Sequence, residues 1–297
     1  MQLSAPALVL PPPDGPPNRV IFRSWTDHFR PTTLAFLAVH AVAIAGVIVF
    51  GWSWRGAALA VGMYFARMVV VTAGYHRYFS HRSFKTTRWF QFLLAIAAQS
   101  SGQKGVLWWA SHHRWHHRNS DMPEDVHSVR RNGFWYAHVG WILGRSWDET
   151  DPRMIGDLTK YPELRVLNHA AVSQLPTIAL AVGCLLVGGW HGLLWGFFVS
   201  TVMLWHGSFS INSLAHLIGR RRYPTTDDSR NSLMLALITT GEGWHNNHHH
   251  YQSSANQGFR WWQIDVTYYV LKVLAALGLV WDLRRPPRAV VTGPSPA

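Results

Sequence analysis

The run Gly241-Glu242-Gly243-Trp244-His245-Asn246-Asn247-His248-His249-His250 places four histidines in its last six positions. His245, His248 and His249 stand at i, i+3 and i+4, which on a helix is one face. Three imidazoles on one face can point at one or two metal ions. The spacing recurs at His113, His116 and His117, and a third pair, His76 and His81, closes an apolar segment. Adjacent protonated imidazoles would repel; neutral imidazoles around a metal remove that conflict. With His216, nine histidines gather at the polar ends of apolar segments. Nine is too many for one ion, whereas two ions taking four or five each fit the count; a single zinc takes three or four. A carboxylate-bridged di-iron bundle needs a Glu-rich core, and acidic residues are scarce beside the boxes, with Glu242 the exception. The one cysteine, Cys184, lies in an apolar span, so neither an intramolecular disulfide nor an iron–sulfur cluster is available. An all-imidazole donor set suits iron, zinc or manganese, and we read a dinuclear iron site. His76 and His81 are five apart, about 140° around an ideal helix. Either the helix ends between them or each serves a different metal.

The rest of the chain places these boxes beside a bilayer. Of 297 residues, 48% are hydrophobic and only 14% charged, with 17 Trp and 18 His; about 25% charged is usual for soluble domains. The apolar residues cluster, so the class is an all-α integral membrane protein. The net charge of +12 does not mark a nucleic-acid binder, because its basic residues flank apolar spans and no nucleic-acid module is present. Four transmembrane helices are predicted at about 34–54, 57–75, 172–190 and 193–211. Their short outer turns put every box, and both termini, on the basic side, which is cytoplasmic. A cytosolic helical cap then holds the histidine-rich dinuclear site. Residues 89–98 and 264–281 are apolar helices expected to lie along the membrane. Residues 1–30 read as a disordered Pro-rich tail, 31–283 as the catalytic domain and 284–297 as a second disordered tail. His40 reads as interhelical rather than as a ligand, and Arg67 requires a protein partner or polar cavity.

A redox-active centre beside a bilayer suits O₂ activation and attack on an unactivated C–H bond, with a lipid chain as substrate. Trp108, Trp109, Trp115, Phe134, Trp135, Trp141, Trp244, Trp261 and Trp262 are candidate walls of an apolar tunnel.

HRYFSH (76–81), HRWHH (113–117), NSLAH (212–216) and GEGWHNNHH (241–249) resemble the membrane acyl-CoA Δ9 desaturases of the stearoyl-CoA type. The likeness covers roughly residues 35–265, including VTAG before the first box, RSFK after it and HVGW at 138–141. It implies O₂-dependent insertion of a cis double bond, Δ9 by type, into a saturated long-chain acyl group. It implies two iron ions on His76, His81, His113, His116, His117, His216, His245, His248 and His249. Asn212 matches an asparagine that holds one iron through a water, and Glu242 a glutamate that orients a histidine. Gln103, Trp109 and Ser208 (Thr in the family) fall where the bend of the acyl chain is enclosed. The substrate is then a fatty acyl thioester such as acyl-CoA, or an acyl lipid. Ser111 and His112 replace an Arg-Asp pair that contacts CoA, and Lys104 replaces an Asn; Arg145 is placed to meet a phosphate. No haem-binding HPGG text is present, so electrons are expected from a separate cytochrome b5-like or ferredoxin-like protein. The rival chemistry is a di-iron hydroxylase of alkyl or lipid chains. A metal transporter would need polar residues through the spans, and the third span offers almost none.

Overall fold

The computed structural model describes residues 30–144 and 146–292. Two apolar helices, α1 (Pro31–Phe50) and α2 (Trp54–Val70), are joined by residues 51–53. Ser53 caps α2 by accepting from the Gly56 amide at 3.1 Å. The helix runs on, more widely wound, as a π-helical segment Val71–Ser80, so 27 residues are continuous. Then come α3 (Arg88–Gln99), α4 (Val106–Asn119) and a string of short turns packed around Trp108, Tyr136, Trp141 and Trp147. Further on lie α5 (Leu175–His191), a π-helical stretch Gly192–Val199, α6 (Ser200–Ser213), α7 (Leu233–Ile238), α8 (His245–His250) and α9 (Val266–Ala276).

Among the described residues three runs are long and apolar enough to cross a membrane: Pro31–Phe50, Trp54–Ser80 and Ala170–His216. At 1.5 Å per residue the last would be about 70 Å long, over twice a bilayer core. It is not straight. Gly189 adopts φ 58°, ψ −154° and breaks the helix. A Cβ on Gly192 would lie 2.4 Å from the Cys184 carbonyl oxygen, so the returning chain packs on the outgoing one and the glycine is required there. His191 Nε2 lies 3.0 Å from Ser53 Oγ, bringing this turn beside the one between α1 and α2. The apolar faces point outward, with Val187 93% and Ile48 75% exposed, as suits lipid-facing helices.

Several expectations are refined. The helices begin and end a few residues away from the expected spans, and the second extends to Ser80. Arg67 has its partners: Ser200 Oγ at 3.0 Å, Thr201 Oγ1 at 2.8 Å and the Ser100 carbonyl at 2.8 Å. His40 is interhelical, its Nε2 3.1 Å from His206 Nε2. α9, at 11 residues, is too short to span. The protein is mostly helical, but Lys85–Thr86 pairs antiparallel with Val280–Trp281. The C-terminal tail does not begin at 284. The Arg284 amide donates to Ser83, its carbonyl accepts from Ala255, and Arg288–Thr292 is a short helix. The N-terminal tail lies outside the described residues but for Arg30, which bonds the Leu143 carbonyl and pairs with Asp148.

Candidate metal centre

The first box sits on the π-helical segment. There the turn is wide enough for i→i+5 bonding, and the His81 amide donates to the His76 carbonyl at 3.2 Å. Residues five apart therefore come to one face, and the two rings lie 4.8 Å apart. Neither expected alternative holds: the winding widens, and both imidazoles enter the same group. α4 presents His113, His116 and His117; α8 presents His245, His248 and His249; His216 ends the turn after α6.

All nine histidines fall into two groups. His76, His81, His113, His117 and His248 form one, and His116, His216, His245 and His249 the other, with donor atoms within 4.8 Å of one another in each. In the first, the Nε2 atoms of His76 and His248 are 3.0 Å apart, His248 and His117 2.9 Å, His117 and His113 3.0 Å, and His113 and His81 2.9 Å. In the second, His216 and His245 Nε2 are 3.1 Å apart. One ring nitrogen carries either a proton or a lone pair. A chain in which the Nε2 atoms of His248, His117 and His113 each face two others is therefore not an ordinary hydrogen-bond network. Donors at right angles around a metal, with bonds of about 2.1 Å, lie about 3.0 Å apart, which matches these spacings. His116 Nε2 and His249 Nε2 are buried without a hydrogen-bond partner, as ligand atoms awaiting a cation would be. The donor set thus fits two metal ions of the kind imidazole favours.

Burial, with neighbouring imidazoles, pushes His81, His113, His117, His245 and His248 well below the usual imidazole value. They are neutral, the form that binds metal.

Carboxylates fix the rings from behind. Asp125 lies 2.7 Å from His116 Nδ1, Asp227 2.7 Å from His249 Nδ1 and Glu242 2.5 Å from His76 Nδ1. Asp121 stands 3.5 Å from His216 Nδ1, too far for a strong bond. Burial alone would raise the Glu242 carboxyl, but His76 and Arg77 hold it at about 2. Burial would likewise raise Asp227, yet its bond to His249 keeps it below the usual range. The expectation that acid is scarce around the boxes is thus corrected. Asp121, Asp125 and Asp227 come from the loops DMPED (121–125) and TTDDS (225–229). Their only sequence signal is that the first follows box two by four residues.

A pocket of about 570 Å³ opens from this centre, a size usual for ligand sites. His113, His127 and Asn212 line it, with Gln103, Trp109, Ser208, Phe36, Trp205 and Phe209. The Trp109 indole N–H donates to Gln103 Oε1 at 2.8 Å, and its ring stacks on His113 at 4.8 Å. Of the aromatic walls expected, Trp108, Trp109 and Trp141 line the pocket. Trp135 and Trp261 are instead 70% and 88% exposed, and Trp115, Phe134, Trp244 and Trp262 are not among the lining residues. Lys104 pairs with Asp148 at 2.8 Å, Ser111 Oγ accepts from the Asp151 amide at 3.0 Å, and His112 Nδ1 meets the Trp108 carbonyl at 2.8 Å. Arg145 lies outside the described residues.

Comparison with known proteins agrees. Residues 50–282 match the fatty acid desaturase family. A Synechocystis sn-1 stearoyl-lipid 9-desaturase is 35% identical over 264 residues, 86% of this chain and 80% of its own. A Limnanthes douglasii icosanoyl-CoA 5-desaturase is 34% identical over 90% of this chain and 75% of its own. A Moorena producens hex-5-enoyl-[acyl-carrier protein] acetylenase is 36% identical over 77% of this chain and 76% of its own. Two groups of buried histidines, carboxylate-backed rings and a sequence match over most of its length make this chain a member of the fatty acid desaturase family.

Proposed function

We propose that the protein inserts a cis double bond, at Δ9, into a saturated long-chain acyl group, using O₂, two irons and electrons from a separate carrier. The observation that carries this is the junction of the paired histidine groups with an apolar pocket, at His113, His127 and Asn212. Bound iron supplies the redox chemistry that removes two hydrogens from adjacent carbons while O₂ is reduced to water. The chain's own residues do the rest. His76, His81, His113, His117 and His248 hold one ion, and His116, His216, His245 and His249 the other. Glu242 orients His76, and Asn212 would hold one of the two ions through a water. The Gln103–Trp109 pair and Ser208 bend the acyl chain so that one pair of carbons faces the metals, and the apolar wall excludes water.

Four membrane crossings, the run from Ala170 to His216 counting twice because of Gly189, put this centre in a cytoplasmic cap; the basic loops support that orientation. The relatives are named for acyl-lipid, acyl-CoA and acyl-carrier substrates. The internal bonds of Lys104, Ser111 and His112 favour an acyl lipid over acyl-CoA. The test is expression in a desaturase-deficient host, with lipid profiling by gas chromatography and double-bond mapping. New cis-monoenes, absent with His248→Ala, are the expected result; hydroxylated lipids, or stoichiometric zinc in protein from iron-replete cells, would overturn it.

A further inference from the structure

The two histidine groups are backed by unequal charge. In the four-histidine group, Asp125 and Asp227 each bond a ligand's Nδ1 at 2.7 Å, and Asp121 stands 3.5 Å from a third. The further bonds to these carboxylates come from neutral donors; the nearest cations, Arg131 on the Asp121 carbonyl at 3.0 Å and Arg130 on Asp228, bond none of the three carboxylates. Ser128 Oγ bonds Asp121, the Asp121 amide bonds Asp125 and the Ser229 amide bonds Asp227. In the five-histidine group one carboxylate, Glu242, backs His76, and it is bonded by a cation. Its Oε1 accepts from Arg77 Nη2 at 3.0 Å and Nε at 3.3 Å, while Gln257 donates to Oε2. Arg77 is shared with Asp265. A second cation, Arg114, donates to the Phe79 and Ser80 carbonyls just before His81 and pairs with Asp157, which Arg82 also approaches at 3.5 Å. Among the described residues His117 Nδ1 and His248 Nδ1 have no hydrogen-bond partner, and in the four-histidine group the same holds for His216 Nδ1 and His245 Nδ1, so the difference between the groups lies in the charge of the carboxylates and not in the number of free nitrogens.

A carboxylate bonded to a ligating imidazole raises its basicity and stabilises the more highly charged metal; in a buried site the charge is weakly screened. We infer that the four-histidine site is the more electron-rich of the two, and that Asp125 and Asp227 make it the site of the ferric ion when one iron is oxidised. The inference rests on the di-iron reading and assigns the two ions different roles: one gives up its electron first, the other follows. Asp125 and Asp227 are positioning residues, acting through His116 and His249.

The experiment is an anaerobic redox titration of ⁵⁷Fe-loaded protein, followed by Mössbauer spectroscopy. Wild type is expected to oxidise in two one-electron steps through a half-oxidised form with one ferric and one ferrous component. Asp125→Asn and Asp227→Asn should raise the lower potential and alter the ferric component alone. Asp227→Glu should restore both, and Glu242→Gln should perturb the ferrous component. If Asp227→Asn loses one iron, the remaining ion should titrate at the upper wild-type potential. A single two-electron step, the reverse assignment, or a remaining ion at the lower potential would overturn the inference. The di-iron reading is checked separately, by iron count and lipid profile of wild type; the inference fails on the potentials alone.

Discussion

Two sets of histidines lie within this one fold, and they are built on opposite plans. In the metal centre Nε2 faces Nε2 face on, several at once. In the second set each ring nitrogen meets a single partner. The Phe36 carbonyl lies 2.7 Å from His40 Nδ1, His40 Nε2 3.1 Å from His206 Nε2, His206 Nδ1 2.9 Å from His138 Nε2, and His138 Nδ1 2.9 Å from Ser213 Oγ. The carbonyl can only accept, so His40 carries its proton on Nδ1. Among neutral rings His206 then donates from Nε2 to His40 and accepts at Nδ1 from His138 Nε2. Both nitrogens of His40 and of His206 are thereby engaged, which leaves neither ring free for a cation. Histidine density therefore does not make a metal site; the direction of the free nitrogens does.

The contrast breaks most readily at His248. Replacing it by Ala is expected to lower product formation at least about a hundredfold, since even a residue supporting a ligand accounts for 10–100-fold, and to remove iron from its group. His206→Ala should leave the iron count unchanged, and if it released iron the two sets would not be distinct. Next is Glu242→Gln, expected to weaken iron retention about 10–100-fold in a chelator competition while His76 stays in place. Gln103→Leu leaves the Trp109 indole N–H unpaired in the pocket wall, at about 1–3 kcal/mol. It should slow turnover about tenfold and spread the double-bond position, read by mapping products. The smallest effect is His206→Phe, which removes two interhelical bonds worth about 0.6 kcal/mol each in membrane proteins. A thermal shift equivalent to about 1 kcal/mol, with iron retained, would match the hydrogen-bonded assignment of this set.

The histidines of the metal centre were legible because HxxHH puts imidazoles on one helical face, and nothing in an ordinary core asks for that. The pairing of His76 with His81 was not, because a π-helical turn leaves no mark in the residues: VTAGYHRYFS reads as an ordinary helix end. The supporting carboxylates were hidden for another reason. Asp125 and Asp227 occupy loops whose composition looks solvent-exposed, and only the tertiary fold brings them under His116 and His249. Apolar runs were easy to find, but their ends shifted, since hydropathy fades gradually where helices emerge into a cap. The aromatic walls were partly misassigned because Trp serves interfaces and pockets alike; Trp205, Phe36 and Phe209, which lie within the apolar runs, also line the pocket.

Arg67 has a consequence for how the protein is made. Its hydroxyl partners Ser200 and Thr201 are 133 and 134 residues further along the chain. At synthesis rates of about 5–20 residues per second, α2 is complete on the order of ten seconds before they exist. During that interval the guanidinium has only the Ser100 carbonyl, which arrives 33 residues after it. The second helix therefore cannot settle into lipid as an independent unit. It must wait at the insertion machinery, or with its charge drawn to the headgroups, until the later hairpin arrives. Final seating of the first box is thus timed by the second half of the chain.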